Sequence, residues 1–245
     1  MIFWLEQGIQ KAGICTKVNI TVLYEALNHK SRTLILEQIK PVFSNLYNLI
    51  NLELIPAGRA ELLAGHGFVC PGGADQCNAM KMQACALDFF WNDGNNYTDP
   101  IRQEVFDFLW CVTKNKRMLN VMDSAEICSE EYLEFDAWFT IHGCLIDGTA
   151  EGIFDEYTEK TRFIFQNLGK TVIPTMLIND QEVTDLTSIE AQVCALYVSD
   201  SIQWICEFLN NPCVPNAGWL PQAWLLFQGI ARQSEDQRIL WINER

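Results

Sequence analysis

The sequence predicts an α/β fold in which a helical block is inserted into a small sheet domain. Residues 18–25 and 50–55 are short, β-rich runs, and the apolar residues between them have helical spacing. Residues 172–183 contain two further strand-like runs, with helical stretches on either side. At 245 residues, 49% of them hydrophobic, the chain can form one large domain, or a domain with an insertion, around a full core.

Residues 18–58 are predicted to form a strand–helix–strand unit. The helix should begin at Asn28, a residue type that caps helix N-termini, and Pro41 should kink it. The second strand ends at Pro56. Because crossovers of this kind are right-handed and join parallel strands, the two strands should lie parallel in one sheet.

The remainder of the chain divides into three parts. Residues 59–150 hold six of the ten cysteines and are predicted to be helical, with helices over 101–111 and 129–139. Residues 151–198 should contain a helix (153–168) stopped by Gly169, a strand (172–178) entered by Pro174, a turn at Asn179-Asp180, a short strand (181–183) and a helix (186–197). This order predicts a thioredoxin-like fold with a cysteine-rich helical insertion. Residues 199–245, rich in Trp, form a C-terminal extension.

The charge and hydropathy of the chain exclude several partner classes. A net charge of -14 argues against nucleic acid, which needs clustered Lys and Arg, and against anionic membranes. No apolar run reaches the roughly 18 residues of a membrane-spanning helix. The start, Met1 to Gln7, is not a usable signal peptide, so a secreted form would have lost its signal or begun upstream.

The ten cysteines are an even number spread along the chain, which favours disulfides and an oxidising compartment. A metal site is not expected, because there is no C-x2-C pair and the three histidines are isolated; no cofactor is expected either. The glycosylation sequons at Asn19 and Asn96 agree with secretion. The cysteines predicted to be structural are Cys70, Cys77, Cys85, Cys111, Cys128, Cys144, Cys194, Cys206 and Cys213.

Residues 70–85, C-P-G-G-A-D-Q-C-N-A-M-K-M-Q-A-C, contain a motif that resembles a family signature. The gamma-interferon-inducible lysosomal thiol reductase (GILT) family has C-Q-H-G, two residues, E-C, two residues, N, four residues and C. The three cysteines and Gly73 have the required spacing. The departures are Pro71 for Gln, Gly72 for His, Gln76 for Glu and Met80 for Asn. Ordered matches extend the resemblance from Val18 to Tyr197 and comprise Tyr24–Leu27, Pro41, Asn51–Pro56, Ile173-Pro174 and Val193–Tyr197.

The resemblance implies that the family's two catalytic cysteines fall on Asn28 and Ser31. A reductase of this kind needs a thiolate at a helix N-terminus and a second cysteine that resolves the mixed disulfide. Neither Asn28 nor Ser31 can attack sulfur in this way, so we expect a pseudo-enzyme that acts by binding. The first interpretation of the two residues themselves is that they cap a helix.

The resemblance also implies a groove formed by His29, Lys30, Pro174 and Thr175, with Pro174 in the cis form. For His29 itself, an exposed position in the turn is preferred to a role as base or ligand. We expect a secreted or lysosomal protein with a protein or cell-surface partner. The segment Trp219 to Phe227 is either an interface or a helix packed on the domain. The alternative function is residual thiol–disulfide exchange by other cysteines, among Cys70, Cys77 and Cys85, or by Cys15.

Overall fold

The computed structural model describes residues 17–64, 67–92, 99–115, 121–134 and 136–199. Predictions for Cys15, Asn96, Cys206, Cys213 and the extension beyond residue 199, including Trp219 to Phe227, lie outside the described residues. The strands are β1 (Val18–Leu23), β2 (Ile50–Ile55), β3 (Glu61–Leu63), β4 (Gly67–Val69), β5 (Thr175–Ile178) and β6 (Gln181–Glu182). The helices are α1 (His29–Thr33), α2 (Lys40–Leu46), α3 (Ala74–Leu87), α4 (Asp99–Lys114), α5 (Val121–Tyr132), α6 (Ala137–Ile146), α7 (Thr149–Leu168) and α8 (Ile189–Ser199).

The main sheet has the strand order β2-β1-β5-β6. β1 and β2 are parallel, as predicted, whereas β5 is antiparallel to both β1 and β6. β1 lies between two strands, and its residues Ile20 and Val22 are fully buried. Asn19 is exposed on the same strand, where a sequon can be reached. The turn between β5 and β6 is Asn179-Asp180, and both residues have positive φ, as the Asn and Asp side chains permit.

Pro41 does not kink a continuous α-helix. Instead, residues Leu34–Ile39 form a π-helical segment between α1 and α2, and the Lys40 N–H donates to the carbonyl of Ile35, five residues back. Proline lacks an N–H, and its ring would clash with the carbonyl four residues earlier in a regular helix. The wider π turn immediately before Pro41 is a known way to accommodate such a change in the helix.

The helix predicted over 129–139 is wrong. α5 ends at Tyr132 and α6 begins at Ala137. The two helices are tied by disulfides to different partners. α5 is joined to α4 by the Cys111–Cys128 disulfide, whereas α6 is joined to α3 by Cys85–Cys144. One straight helix could not direct both cysteines to those partners.

All seven cysteines in the described part of the chain are disulfide-bonded, as predicted. Besides the two interhelical bridges there is a local one, Cys70–Cys77, and Cys194 is also bridged. A bridge restricts the unfolded chain more when it closes a longer loop, so Cys85–Cys144, 59 residues apart, should contribute most of the three with known partners. The helical insertion is therefore covalently tied at several points. No helix among the described residues is long and apolar enough to cross a membrane.

Candidate functional site

The candidate site lies at the carboxyl end of β1, where the chain turns into α1. Leu23, the last residue of β1, pairs with Thr175, the first residue of β5. Pro174, which follows a cis peptide bond, therefore lies at the same end of the sheet as the turn Glu25 to Asn28. The groove that the family resemblance implies would lie at this end of the sheet.

Asn28 caps α1, as one of the two interpretations of the sequence predicted. Its Oδ1 accepts hydrogen bonds from the backbone N–H groups of Lys30, at 3.0 Å, and Ser31, at 3.2 Å. These donors would otherwise be unsatisfied at a helix N-terminus. They are also the groups that would stabilise a negatively charged atom placed at this position.

Ser31 is fully buried, and its hydroxyl takes part in a hydrogen bond. The Oγ accepts a hydrogen bond from the backbone N–H of Glu25 at 3.2 Å. His29, the nearest imidazole in sequence, is exposed at the turn. Ser31 therefore has neither the solvent access nor an adjacent base that a nucleophilic serine needs.

Glu25 is the organising residue of the turn, and the sequence reasoning missed it. Its carboxylate is only 1% exposed and is held by Arg59 in a two-pronged pair, with Nε–Oε1 at 2.8 Å and Nη2–Oε2 at 3.0 Å. The Arg59 backbone N–H and the Asn28 Nδ2 donate to the same carboxylate at 3.1 and 3.0 Å. Burial alone raises the pKa of Glu25, but these hydrogen bonds outweigh it and lower the pKa below the usual 4.5.

Gly58 makes room for that buried carboxylate. Its φ is +49°, and a Cβ at this position would lie 2.1 Å from the Cγ of Glu25. Only glycine combines this backbone conformation with so close an approach. The segment Pro56-Ala57-Gly58, which follows β2, is thus part of the site.

Gln76 connects the cysteine motif to the turn. Its Nε2 donates to the carbonyl of Ala26 at 2.9 Å, and its Oε1 accepts from the N–H of Gly72 at 2.7 Å. The Cys70–Cys77 disulfide closes the loop that carries these groups. One of the motif's departures from the family signature is therefore a buried contact with the candidate site.

The predicted groove residues differ in their exposure to solvent. His29 and Lys30 are exposed, and Pro174 is half-buried. Thr175 is 3% exposed, and its hydroxyl donates to the carbonyl of Val172 at 2.5 Å. The prediction that Thr175 lines a groove is therefore wrong for its side chain, because the first residue of β5 points into the core.

Two solved structures share this architecture. DsbA from Chlamydia trachomatis has a TM-score of 0.53 at 12% identity, covering 75% of this chain and 88% of that one. The thiol-disulfide oxidoreductase MdbA from Corynebacterium diphtheriae has a TM-score of 0.50 at 14% identity, covering 75% and 85%. At such identities the likeness concerns the fold alone. The chain is thus a thioredoxin-like protein with a helical insertion.

Comparison of the sequence with known proteins shows a similarity to one family. Residues 19–132 match the family described as gamma interferon inducible lysosomal thiol reductase (GILT). GILT-like protein 1 of Drosophila melanogaster is 27% identical over 221 residues, covering 85% of this chain and 86% of that protein. The gamma-interferon-inducible lysosomal thiol reductase of Carassius auratus is 22% identical over 188 residues, covering 74% and 68%. Residues 19–132 therefore resemble the GILT family, and the similarity to proteins named for that family extends over most of the chain.

The buried Glu25 predicts a defined pH dependence of stability. Because its pKa is lower in the folded protein than its usual value of 4.5, its stabilising contribution is present above that value. The contribution is lost as the pH falls through the folded-state pKa. We expect a Glu25→Gln variant to unfold more easily than the parent at neutral pH, with a difference that shrinks on acidification. Denaturant titrations across pH would measure this, with the exposed Glu130→Gln as control, and a difference constant with pH would contradict it.

Proposed function

We propose that this chain is a GILT-family member that has lost the catalytic dithiol and acts by binding a protein partner. The observation that carries the proposal is the chemistry at the start of α1. The two positions that correspond to the family's cysteines hold an amide, Asn28, and a buried hydroxyl, Ser31. No two cysteines anywhere in the chain have C-x-x-C spacing. Attack on a disulfide requires a thiolate, and neither residue can supply one.

The alternative, thiol–disulfide exchange by other cysteines, has one supporting observation. The Cys70–Cys77 disulfide lies in the loop that Gln76 joins to the candidate turn. Both cysteines are largely buried, however, and among residues 17–199 that the structure describes no cysteine is free. Exchange at Cys70–Cys77 would therefore have to begin with attack by another thiol on a buried bridge, which favours the binding function.

The proposal also includes the cellular compartment of the protein and its glycosylation. The described residues contain three disulfides and a further bridged cysteine, Cys194, which suit an oxidising compartment. The names of the relatives point to lysosomes. We infer a secreted or lysosomal glycoprotein, with Asn19, exposed on β1, as one carbohydrate site. The partner would be a protein, since the charge of -14 does not suit nucleic acid.

The test is alkylation of the denatured, unreduced chain, followed by peptide mass mapping. We expect Cys70, Cys77, Cys85 and the other described cysteines to remain unlabelled. We also expect no covalent adduct when the native chain is incubated with a disulfide-bonded protein and quenched with acid. Labelling of any of these cysteines, or a trapped mixed disulfide, would count against the proposal and support the alternative.

A further inference from the structure

A cleft of about 910 Å³ lies away from the start of α1, between residues 58–62 and one side of α7 with the turn that follows it. Its volume is at the upper end of the range usual for ligand pockets. Arg59 belongs to both places, because it lines the cleft and its guanidinium holds the Glu25 carboxylate. Arg59 therefore connects the cleft to the candidate turn.

The cations that line the cleft are already neutralised. Each has a carboxylate partner in the structure, and the pairs are Arg59 with Glu25, Arg162 with Glu159, and Lys170 with Glu182. An acidic ligand would have to compete with these carboxylates. Displacing Arg59 would in addition leave the buried Glu25 without its main partner.

Two carboxylates in the cleft are not neutralised in this way. Within the described part of the chain, Glu61 has no ion-pair partner, and Asp155 is contacted only by the Thr158 hydroxyl, at 3.5 Å. The carboxyl end of α7, which carries the negative end of the helix dipole, lies in the same cleft. The charged side chains of the cleft that lack an ion-pair partner among the described residues are therefore negative and suit a cationic group.

The cleft also offers apolar surface and an open strand. Leu62 on β3 is 54% exposed, and Phe165 also lines the cleft, with 8% exposure. β3 pairs with β4, and its other edge carries no strand among the described residues. Unpaired strand edges are a common place for an extended peptide to bind.

We propose that this cleft binds a short peptide segment in which Lys or Arg lies next to an apolar side chain. The cation would pair with Glu61 and Asp155, and the apolar side chain would pack against Leu62 and Phe165. This deepens the proposed function, on which it rests, by naming the class of partner for a chain that acts by binding.

The test uses fluorescein-labelled heptapeptides and fluorescence anisotropy with the whole chain. The first peptide has two leucines and two lysines among serines; the comparison peptides replace the lysines by glutamates or the leucines by serines. We expect the first to bind at least about fivefold more tightly than either. The cleft variant Glu61→Gln/Asp155→Asn should weaken it about fivefold. The matched variant Glu130→Gln/Glu156→Gln has the same net charge but alters exposed carboxylates that do not line the cleft.

The outcomes separate the two proposals. Weakening by the cleft variant alone supports the inference, and loss of leucine dependence in a Leu62→Ser variant supports it independently. Equal weakening by both double variants would show general attraction to an acidic protein and overturn it, as would the absence of binding. Disulfide reduction by the parent protein would instead overturn the proposed function, whatever the peptides do.

Discussion

An Asn28→Cys/Ser31→Cys variant is expected to reduce protein disulfides at least roughly a hundredfold faster than the parent chain. The variant introduces the dithiol into a frame that already has the required local groups. A thiolate at position 28 would receive the N–H groups of Lys30 and residue 31, which now donate to the Asn28 amide. Those donors and the helix N-terminus lower a thiol pKa.

The burial pattern also suits a dithiol. Asn28 is half-buried, whereas Ser31 is completely buried. That difference matches an attacking thiol that meets the substrate and a resolving thiol behind it. The Glu25 carboxylate, which contacts Asn28, would oppose a thiolate, but its pairing with Arg59 offsets this charge.

The single variants are the controls for this gain of activity. Asn28→Cys alone should form a mixed disulfide with substrate but not turn over, because no resolving cysteine follows. Ser31→Cys alone should remain inactive because its thiol would be buried. If the double variant is inactive although its two cysteines form a disulfide, the groove rather than the dithiol is deficient, and the explanation from Asn28 and Ser31 fails.

A Gly58→Ala variant is expected to lose about 3 kcal/mol of unfolding free energy, the largest loss we predict for a single methyl group in this chain. About 1 kcal/mol comes from placing alanine at a positive φ of +49°. The rest comes from the added Cβ, which would lie 2.1 Å from the Cγ of Glu25. Because Glu25 holds both Arg59 and Asn28, moving it disturbs the cap of α1 as well.

Gly169→Ala is the matched control for this effect. Gly169 also has a positive φ, +66°, but an added Cβ would meet nothing within 4 Å. It should cost about 1 kcal/mol. Chemical denaturation of the two variants beside the parent would measure the difference. Equal losses would mean that the contact between Gly58 and Glu25 contributes nothing.

The fold was predictable because its signals are local. These signals each involve only a few neighbouring residues. They are the apolar spacing of the first helix, the β-rich runs of β1 and β2, the helix end at Gly169 and the turn at Asn179-Asp180. The break between α5 and α6 was not predictable, because the sequence does not specify the disulfide pairings that tie α5 to α4 and α6 to α3.

The candidate site was predictable only in part. Asn28 was identified because capping is a local property. Glu25 was missed because its significance depends on Arg59, 34 residues away, and on the missing side chain of Gly58. Gln76 similarly reaches Ala26 across 50 residues. Thr175 was misplaced because its orientation is set by the pairing of β5 with β1.

The most direct test of the central claim is turnover of a disulfide-bonded protein by the parent chain, at acidic and neutral pH, with and without a small-thiol donor. We expect no reduction beyond that of the donor alone, because residues 28 and 31 carry no thiol. Catalysis above that background at either pH would contradict it. Single Cys→Ser variants would then identify the cysteine responsible.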